Sequence, residues 1–272
     1  MEREEHHGQA PVTAVDGGDG GGAGGAGDGG GAGEDALRAV AEGDISATTV
    51  TRLARTLARS ARTAGAGAVA SGRWLAATVM DFAPRIPVRT ADVLVAQHGG
   101  LTGQALADEL VRKATWASAA VGAASGAIMG AEELAPPAWV TLPIELAAET
   151  LAVAAIEMKL IAELHEAFGL PVPGSAGERG ASIVRAWAER RGVTITKVAA
   201  GGGLSEVLSH GTRDQVMKLL RRRLLRRMGR NLTSLTPFLI GAAAGAEANR
   251  RATRSLGEAV VRDLAGRLPP GA

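Results

Sequence analysis

Residues 142–169 read LPIELAAETLAVAAIEMKLIAELHEAFG, and the way this stretch begins and ends indicates a helix. Pro143 can occupy the first position of a helix, where its missing N–H is not needed. Gly169 and Pro171 follow Phe168, an order typical of a left-handed cap and of a residue that cannot continue the helix. The stretch therefore predicts one long helix that begins at Pro143 and runs to Phe168.

The rest of the chain carries similar signals. Tyr is absent and only three Phe occur in 272 residues, so the aromatic enrichment of β-sheets is missing. Ser175 and Glu178 form a capping-box pattern. Caps and periodicity predict further helices over residues 46–63, 73–82, 90–97, 102–131, 176–191, 212–228 and 237–264, and only residues 193–198 have strand character. The expected fold class is all-α, a multi-helix bundle with Ala/Gly-rich, closely packed helices.

The first 34 residues differ from the rest in composition. Residues 17–33 are nearly all Gly, Ala and Asp, and such a segment cannot bury enough apolar surface to offset its ordering entropy. We expect residues 1–34 to form a disordered acidic tail and residues 35–272 to form a helical domain. A G-x-G-x-x-G match within the tail has no strand before it, so it does not indicate a dinucleotide site.

Charge is distributed unevenly along the chain. Residues 1–35 hold eight acidic residues and one arginine, a net charge of −7, so the overall +2 leaves +9 on residues 36–272. A basic body favours an anionic partner, although solubility explains it equally well. The chain has no Cys, which excludes disulfides and thiolate metal sites. No apolar run follows the acidic N-terminus, so we expect no secretory signal and a protein that stays in the cell.

No motif of a catalytic site is present, whether P-loop, H-E-x-x-H, G-x-S-x-G or kinase signature. The long predicted helix places four charged residues within a sector of about 80°, namely Glu145, Glu149, Lys159 and Glu163. A helical enzyme would require these carboxylates to converge on a pocket or metal, and the Glu-x-x-His pattern of di-iron helices is missing. We expect no catalytic residue, no metal and no cofactor, and we interpret the carboxylates as a solvated or helix-facing stripe.

Two apolar segments, residues 114–131 and 235–246, carry glycines spaced four residues apart. These glycines are Gly122, Gly126 and Gly130 in the first segment and Gly241 and Gly245 in the second. The spacing lines one helical face with small residues, so that another backbone can approach closely. The segments either enter a bilayer or form a soluble core, because Ala, Gly and Ser confer little insertion energy. The second is shorter than the ~20 residues that a membrane span needs.

Residues 213–230 form the most basic part of the chain. They include one acidic residue, Asp214, and eight basic ones, namely Arg213, Lys218, Arg221, Arg222, Arg223, Arg226, Arg227 and Arg230. Apolar residues share another helical face, so the segment predicts an interfacial helix beside anionic lipid. A solvated basic face on a core helix is the alternative. Nucleic acid is less favoured as a partner, because neither interleaved aromatics nor a nucleic-acid-binding module accompanies the arginines.

Two segments resemble the bacterial EcsC-like family. Residues 142–169 are similar to that family's Pro-initiated helix, which ends in an aromatic residue and Gly. Residues 237–249, PFLIGAAAGAEAN, are similar to its late segment of Pro, small residues and Asn. The resemblance covers roughly residues 102–260 and leaves the basic residues 221–227 and the acidic tail without a counterpart. Because the family is associated by name with an ABC-transporter operon, the resemblance implies a helical, membrane-linked accessory role without a known active site.

Together these features predict a non-enzymatic helical protein at the cytoplasmic face of the cell membrane, with an accessory or scaffold role. Its expected partner is an anionic membrane surface, bound peripherally, and a membrane protein is a further candidate partner. The alternative is a soluble helical scaffold that binds protein or nucleic acid through its arginine-rich helix. The sequence leaves the oligomeric state open.

Overall fold

The computed structural model describes residues 28–42, 47–65, 67–68, 73–132, 138–191, 218, 221–222 and 238–268. Within these ranges eight α-helices are delimited and no β-strand occurs. They are α1 (Asp28–Glu42), α2 (Ala47–Ala64), α3 (Arg73–Phe82), α4 (Ala91–Gln97), α5 (Gly103–Glu132), α6 (Ala138–Ala167), α7 (Ala176–Arg190) and α8 (Phe238–Ala265), with a 3₁₀ turn over Ala83–Arg85. The predicted all-α class is confirmed.

Helix α6 lies at the centre of the bundle. All its residues from 146 to 164 are buried, and it contacts α1, α2, α3, α4, α5, α7 and α8. A helix that is apolar on all sides is stable only when other elements cover it completely. Its charged residues consequently need partners in the interior, because a buried charge without one is costly.

The start of α6 differs from the predicted start, whereas the cap at its C-terminal end agrees with the prediction. The helix begins at Ala138, five residues before Pro143, so the prediction that Pro143 opens it is wrong. Pro143 is the sixth residue of this helix, so it lies beyond the first turn and leaves the carbonyl of residue 139 without its usual N–H donor. At the other end, Gly169 has φ +66° and Leu170 N donates to His165 O at 2.9 Å. The predicted left-handed cap is confirmed.

The other predicted helices within the described ranges match α2, α3, α4, α5, α7 and α8 to within one residue at each end. The capping box of α7 is also present. Ser175 Oγ accepts from Glu178 N at 3.4 Å, and Glu178 Oε2 accepts from Ser175 N at 2.8 Å. Apart from residues 218 and 221–222, the predicted helix over 212–228 and the strand-like residues 193–198 lie outside the described residues.

Helix α1 corrects the predicted boundary between tail and domain. The tail was expected to reach residue 34, yet α1 begins at Asp28. Leu37 and Val40 are buried where α1 packs on α2 and α6, and a helix docked in this way can continue through the preceding residues, although Gly is a poor helix former. The remainder of the predicted tail, residues 1–27, lies outside the described residues.

Helices α5 and α8 pack closely along their length. A Cβ placed on Gly122 would lie 2.6 Å from the carbonyl oxygen of Gly245, and a Cβ on Gly257 would lie 2.8 Å from a methyl group of Val111. Residue numbers fall along α5 as they rise along α8, so the two helices are antiparallel. Such close approach of two backbones requires residues without a side chain at the crossing.

Among the helices of the described ranges, none combines the length and the hydropathy that crossing a membrane requires.

Candidate functional site

The predicted basic segment is described at three positions. Lys218, Arg221 and Arg222 are helical and exposed, and their spacing of three and four residues places them on one helical face. The five other basic residues of the segment lie outside the described residues, namely Arg213, Arg223, Arg226, Arg227 and Arg230. At these three positions the cationic side chains are open to a partner.

The structure brings together one residue from each of the two predicted glycine series. Gly122 of α5 is buried directly against the backbone of Gly245 on α8. The sequence pattern indicated two small-residue faces but not that they would meet each other. The other three glycines lie within the same two helices, Gly126 and Gly130 in α5 and Gly241 in α8.

Glu157 of α6 is wholly buried and links three helical regions. Its carboxylate accepts hydrogen bonds from Trp187 Nε1 and Thr253 Oγ1, each at 2.8 Å. Arg191 donates to both carboxylate oxygens, with Nε at 3.1 Å from Oε2. This carboxylate therefore holds α7 and α8 against α6, and its acceptor sites are used within the fold.

Glu163, also buried, is the second charged centre of α6. Arg89 donates to it through Nε and Nη2, both at 2.7 Å, and Lys159 Nζ lies 2.5 Å from Oε1. Lys159 also donates to the carbonyl oxygen of Pro87 at 2.6 Å. Burial lowers the pKa of Lys159 from its ordinary value, while the attraction of Glu163 opposes that shift. This cluster anchors the segment before α4 on α6.

The carboxylates of α6 do not form one catalytic group. Asn249 Nδ2 donates to Glu149 Oε1 at 2.6 Å, and Glu163 stands 14 residues further along the helix, about 21 Å away at 1.5 Å per residue. The side chain of Glu145 lies outside the described residues. Among described residues no group of three His, Cys, Asp or Glu could hold a metal ion. Glu149 and Glu163 therefore do not converge as the enzyme alternative requires.

A groove that sequence reasoning missed runs between α5 and α8. Its volume is about 600 Å³. From α5 it is lined by Gln104, Asp108, Val111, Arg112, Thr115 and Trp116, and from α8 by Arg250, Arg254, Glu258, Val261 and Arg262. The side chain of Trp116 is 62% exposed, whereas aromatic residues of this size are mostly covered. We refer to this feature as the α5–α8 groove.

Four arginines line the α5–α8 groove, against the two carboxylates of Asp108 and Glu258. Arg112, Arg250 and Arg254 each pair with a carboxylate three or four residues away on their own helix. In one of these pairs, hydrogen bonds from Arg250 and Arg251 lower the pKa of Glu247 to about 2. Within the described ranges no ion pair involves Arg262. The lining residues alone carry two more cations than anions, and Arg262 is the lining arginine without an ion pair in these ranges.

Thr115 lines the same groove, and its hydroxyl group lacks the hydrogen-bond partner that a buried hydroxyl usually has. The residue is 6% exposed, and its Oγ1 finds no hydrogen-bond partner among the described residues. A buried hydroxyl is nearly always satisfied by protein or water, because leaving it unpaired costs free energy. One residue that lines the groove thus carries a buried hydroxyl group without a described partner.

A second depression of about 480 Å³ adjoins the first and shares Arg112 and Trp116 with it. It too is lined by cations, including Arg89 and Lys159. Here, however, the buried carboxylate of Glu163 engages both. Arg89 and Lys159 are therefore less available to an outside anion than the exposed arginines of the α5–α8 groove.

The groove has a weak signal in the sequence. Residues 104, 108, 112 and 116 on α5, and 250, 254, 258 and 262 on α8, are each spaced four apart, which places each set on one helical face. Nothing in the local pattern, however, indicates that these two faces border one another. That arrangement follows from the antiparallel packing of α5 and α8.

No protein-family model matches the chain, and neither a curated protein nor a solved structure matches it.

Proposed function

We propose that this chain is a non-enzymatic helical protein that attaches peripherally to the anionic cytoplasmic face of the cell membrane and has an accessory or scaffold role there. The observation that carries this proposal is the exposure of Lys218, Arg221 and Arg222 on one helical face. They belong to residues 213–230, in which eight basic residues stand against a single acid.

The physical basis is attraction between guanidinium groups and lipid phosphates. Arginine binds phosphate through two parallel hydrogen bonds, and each basic residue near an anionic bilayer contributes on the order of 1 kcal/mol. Because the groups at residues 218, 221 and 222 are already exposed, they can reach headgroups without breaking a buried contact. The resemblance of residues 142–169 and 237–249 to the EcsC-like family supports the same membrane-linked role.

Vesicle co-sedimentation of the full chain tests the proposal. Changing Lys218, Arg221 and Arg222 to Gln should weaken binding to phosphatidylglycerol vesicles by up to ~3 kcal/mol at low salt. Gln is also a good helix former, so helicity should change little. The difference between wild type and variant should shrink at high salt, because ions screen the attraction.

A matched control comes from α2. Arg52, Arg55 and Arg59 are exposed, so changing all three to Gln removes the same charge at another place. This control should lose much less vesicle binding. Equal binding by wild type and the 218/221/222 variant, or equal losses in both variants, would contradict attachment through this segment. If the wild type does not bind vesicles at all, the soluble scaffold is the correct alternative.

A further inference from the structure

We propose that the α5–α8 groove binds a phosphate ester in which the phosphate is joined to a flat or apolar group. The proposal does not rest on the function proposed above, and none of residues 213–230 is among those that line this binding site. Its volume of about 600 Å³ is in the range of small-molecule sites. Three independent features of the groove specify the ligand.

The first feature is an arginine row suited to phosphate. Arg250 and Arg254 stand one helical turn apart on α8, and Arg262 lies two turns beyond Arg254. The pair between Arg254 and Glu258 is 61% and 49% exposed, and such surface pairs exchange easily for another anion. Since no described carboxylate pairs with Arg262, that guanidinium can accept a phosphate without giving up an ion pair.

The second feature is the hydroxyl of Thr115. Thr115 lines the groove, and its hydroxyl oxygen is buried and has no hydrogen-bond partner among the described residues. Because this hydroxyl oxygen is covered, a phosphate oxygen or a water molecule held by the phosphate would provide the missing partner only after the neighbouring side chains shift. The hydroxyl therefore points to a polar ligand group rather than to an apolar one at this place.

The third feature is the exposed indole of Trp116. It stands next to Arg112 on the rim, while Val111 and Val261 supply apolar lining. An aromatic face beside apolar side chains takes up a planar ring by stacking or an acyl chain by apolar contact. The ligand should thus combine a phosphate with such a group, as a nucleotide or a lipid headgroup with its chain does.

The second depression fits this ligand less well, although it is also lined by cations. Lys159 and Arg89 donate to the buried Glu163 at 2.5 and 2.7 Å. A phosphate that contacts Lys159 or Arg89 there would have to displace a buried carboxylate from its partners, and breaking a buried ion pair is strongly unfavourable. The pairs of the α5–α8 groove are exposed and local, so the same exchange is much easier.

Isothermal titration calorimetry of the full chain provides the test, with three soluble probes: inorganic phosphate, adenosine monophosphate, and dihexanoyl phosphatidylglycerol below its micelle concentration. One of the two esters should bind at least about tenfold tighter than inorganic phosphate, since it gains a second set of contacts. Tighter binding of the nucleotide identifies a soluble phosphate ester, and tighter binding of the lipid identifies a headgroup. Both results support the proposed ligand chemistry.

Single variants locate the binding in the groove. Arg262→Gln and Trp116→Ala should each weaken binding of the preferred ester by about tenfold, and both change side chains at the surface, so the melting temperature should stay unchanged. Thr115→Val should weaken binding without lowering the melting temperature, because it removes a hydroxyl that has no described partner. Arg59→Gln, on α2 and outside the groove, is the matched charge control.

The proposal is overturned if neither ester binds the wild type at millimolar concentration, or if inorganic phosphate binds as tightly as both esters. It is also overturned if Arg59→Gln weakens binding as much as Arg262→Gln, since the effect would then be general charge. The variant with Gln at 218, 221 and 222 should bind the preferred ester with wild-type affinity. A loss of vesicle attachment in that variant therefore leaves the groove unaffected.

Discussion

Glu157 on α6 and Glu258 on α8 both pair with arginine, but in opposite surroundings. Glu157 is wholly buried, and its partners come from α7, the residue that follows α7, and α8. Glu258 is half exposed, and its partner Arg254 lies one turn away on the same helix at 2.8 Å. The first carboxylate joins segments that are distant in sequence, whereas the second joins neighbours.

The difference shows which charges hold the bundle together and which remain available for a ligand. A carboxylate removed from water must receive strong hydrogen bonds from the fold, and removing it leaves its donors unsatisfied. An exposed pair exchanges its bonds with water at little cost. The buried charges of α6 therefore hold the helices together. The arginines of the α5–α8 groove can exchange their carboxylate partners for other anions.

The largest expected effect comes from Glu157→Ala. The change leaves Trp187 Nε1, Thr253 Oγ1 and the guanidinium of Arg191 without their common acceptor, so we expect a loss of about 3–5 kcal/mol in the free energy of unfolding. Urea denaturation followed by circular dichroism measures it. A loss below about 1 kcal/mol would show that the interior pair is no more important than a surface pair.

Gly122→Ala should have the next largest effect. Its new Cβ would lie 2.6 Å from the carbonyl oxygen of Gly245, and relieving that overlap must separate α5 from α8, at a cost of about 1–3 kcal/mol. Gly177→Ala on α7 is the matched control, because nothing lies within 4 Å of its added Cβ. Alanine should stabilise the helix there by up to about 1 kcal/mol. Stabilisation in both variants would mean that α5 and α8 do not approach closely.

His165, near the end of α6, is intermediate in burial between Glu157 and the half-exposed Glu258. Burial lowers its pKa from the ordinary 6.5, although a hydrogen bond to Leu170 O opposes the shift. The unfolded chain then binds a proton at higher pH than the folded chain, so the stability is complete above pH 6.5 and falls as the pH drops towards the folded-state pKa. The difference in free energy of unfolding between wild type and His165→Asn should change over that window. A constant difference from pH 7 to pH 4.5 would contradict this prediction.

The smallest effect should follow from Glu258→Ala, the surface counterpart of Glu157→Ala. The pair with Arg254 is exposed and lies within one helix, so we expect a loss of about 0.2–1 kcal/mol. Thermal denaturation of both alanine variants in the same buffer gives the comparison directly. Similar losses at residues 157 and 258 would remove the distinction between interior and surface pairs.

Local signals in the chain were sufficient for most helix boundaries. The cap at Gly169 and the capping box at Ser175 each use a backbone conformation or a hydrogen bond formed within a few residues, so the local sequence specifies them. The local signal was insufficient at two helix starts. Helix α6 begins before Pro143 and α1 begins at Asp28, and in neither case does a local cap pattern mark the observed start.

The features of the candidate site also fall into those that the sequence predicts and those that depend on tertiary packing. The density of basic residues at 213–230 and the glycine spacing are properties of the sequence, and from them come the predicted anionic partner and the close helix packing. The α5–α8 groove could not be predicted, since it requires Trp116 and Arg262 to border one depression although they lie far apart in the chain. The placement of Glu157 among donors from α7 and α8 likewise depends on long-range contacts.

The sequence by itself determined an all-α chain, the ends of most described helices, and a basic body with two series of small residues. Each of these depends on interactions between residues a few positions apart, or on composition alone. The tertiary structure decided that the two glycine series meet, that the carboxylates of α6 are buried with separate partners, and that arginines of two helices surround an exposed tryptophan. Those arrangements arise only when α5, α6 and α8 pack together, because close packing brings side chains into contact irrespective of their distance along the chain.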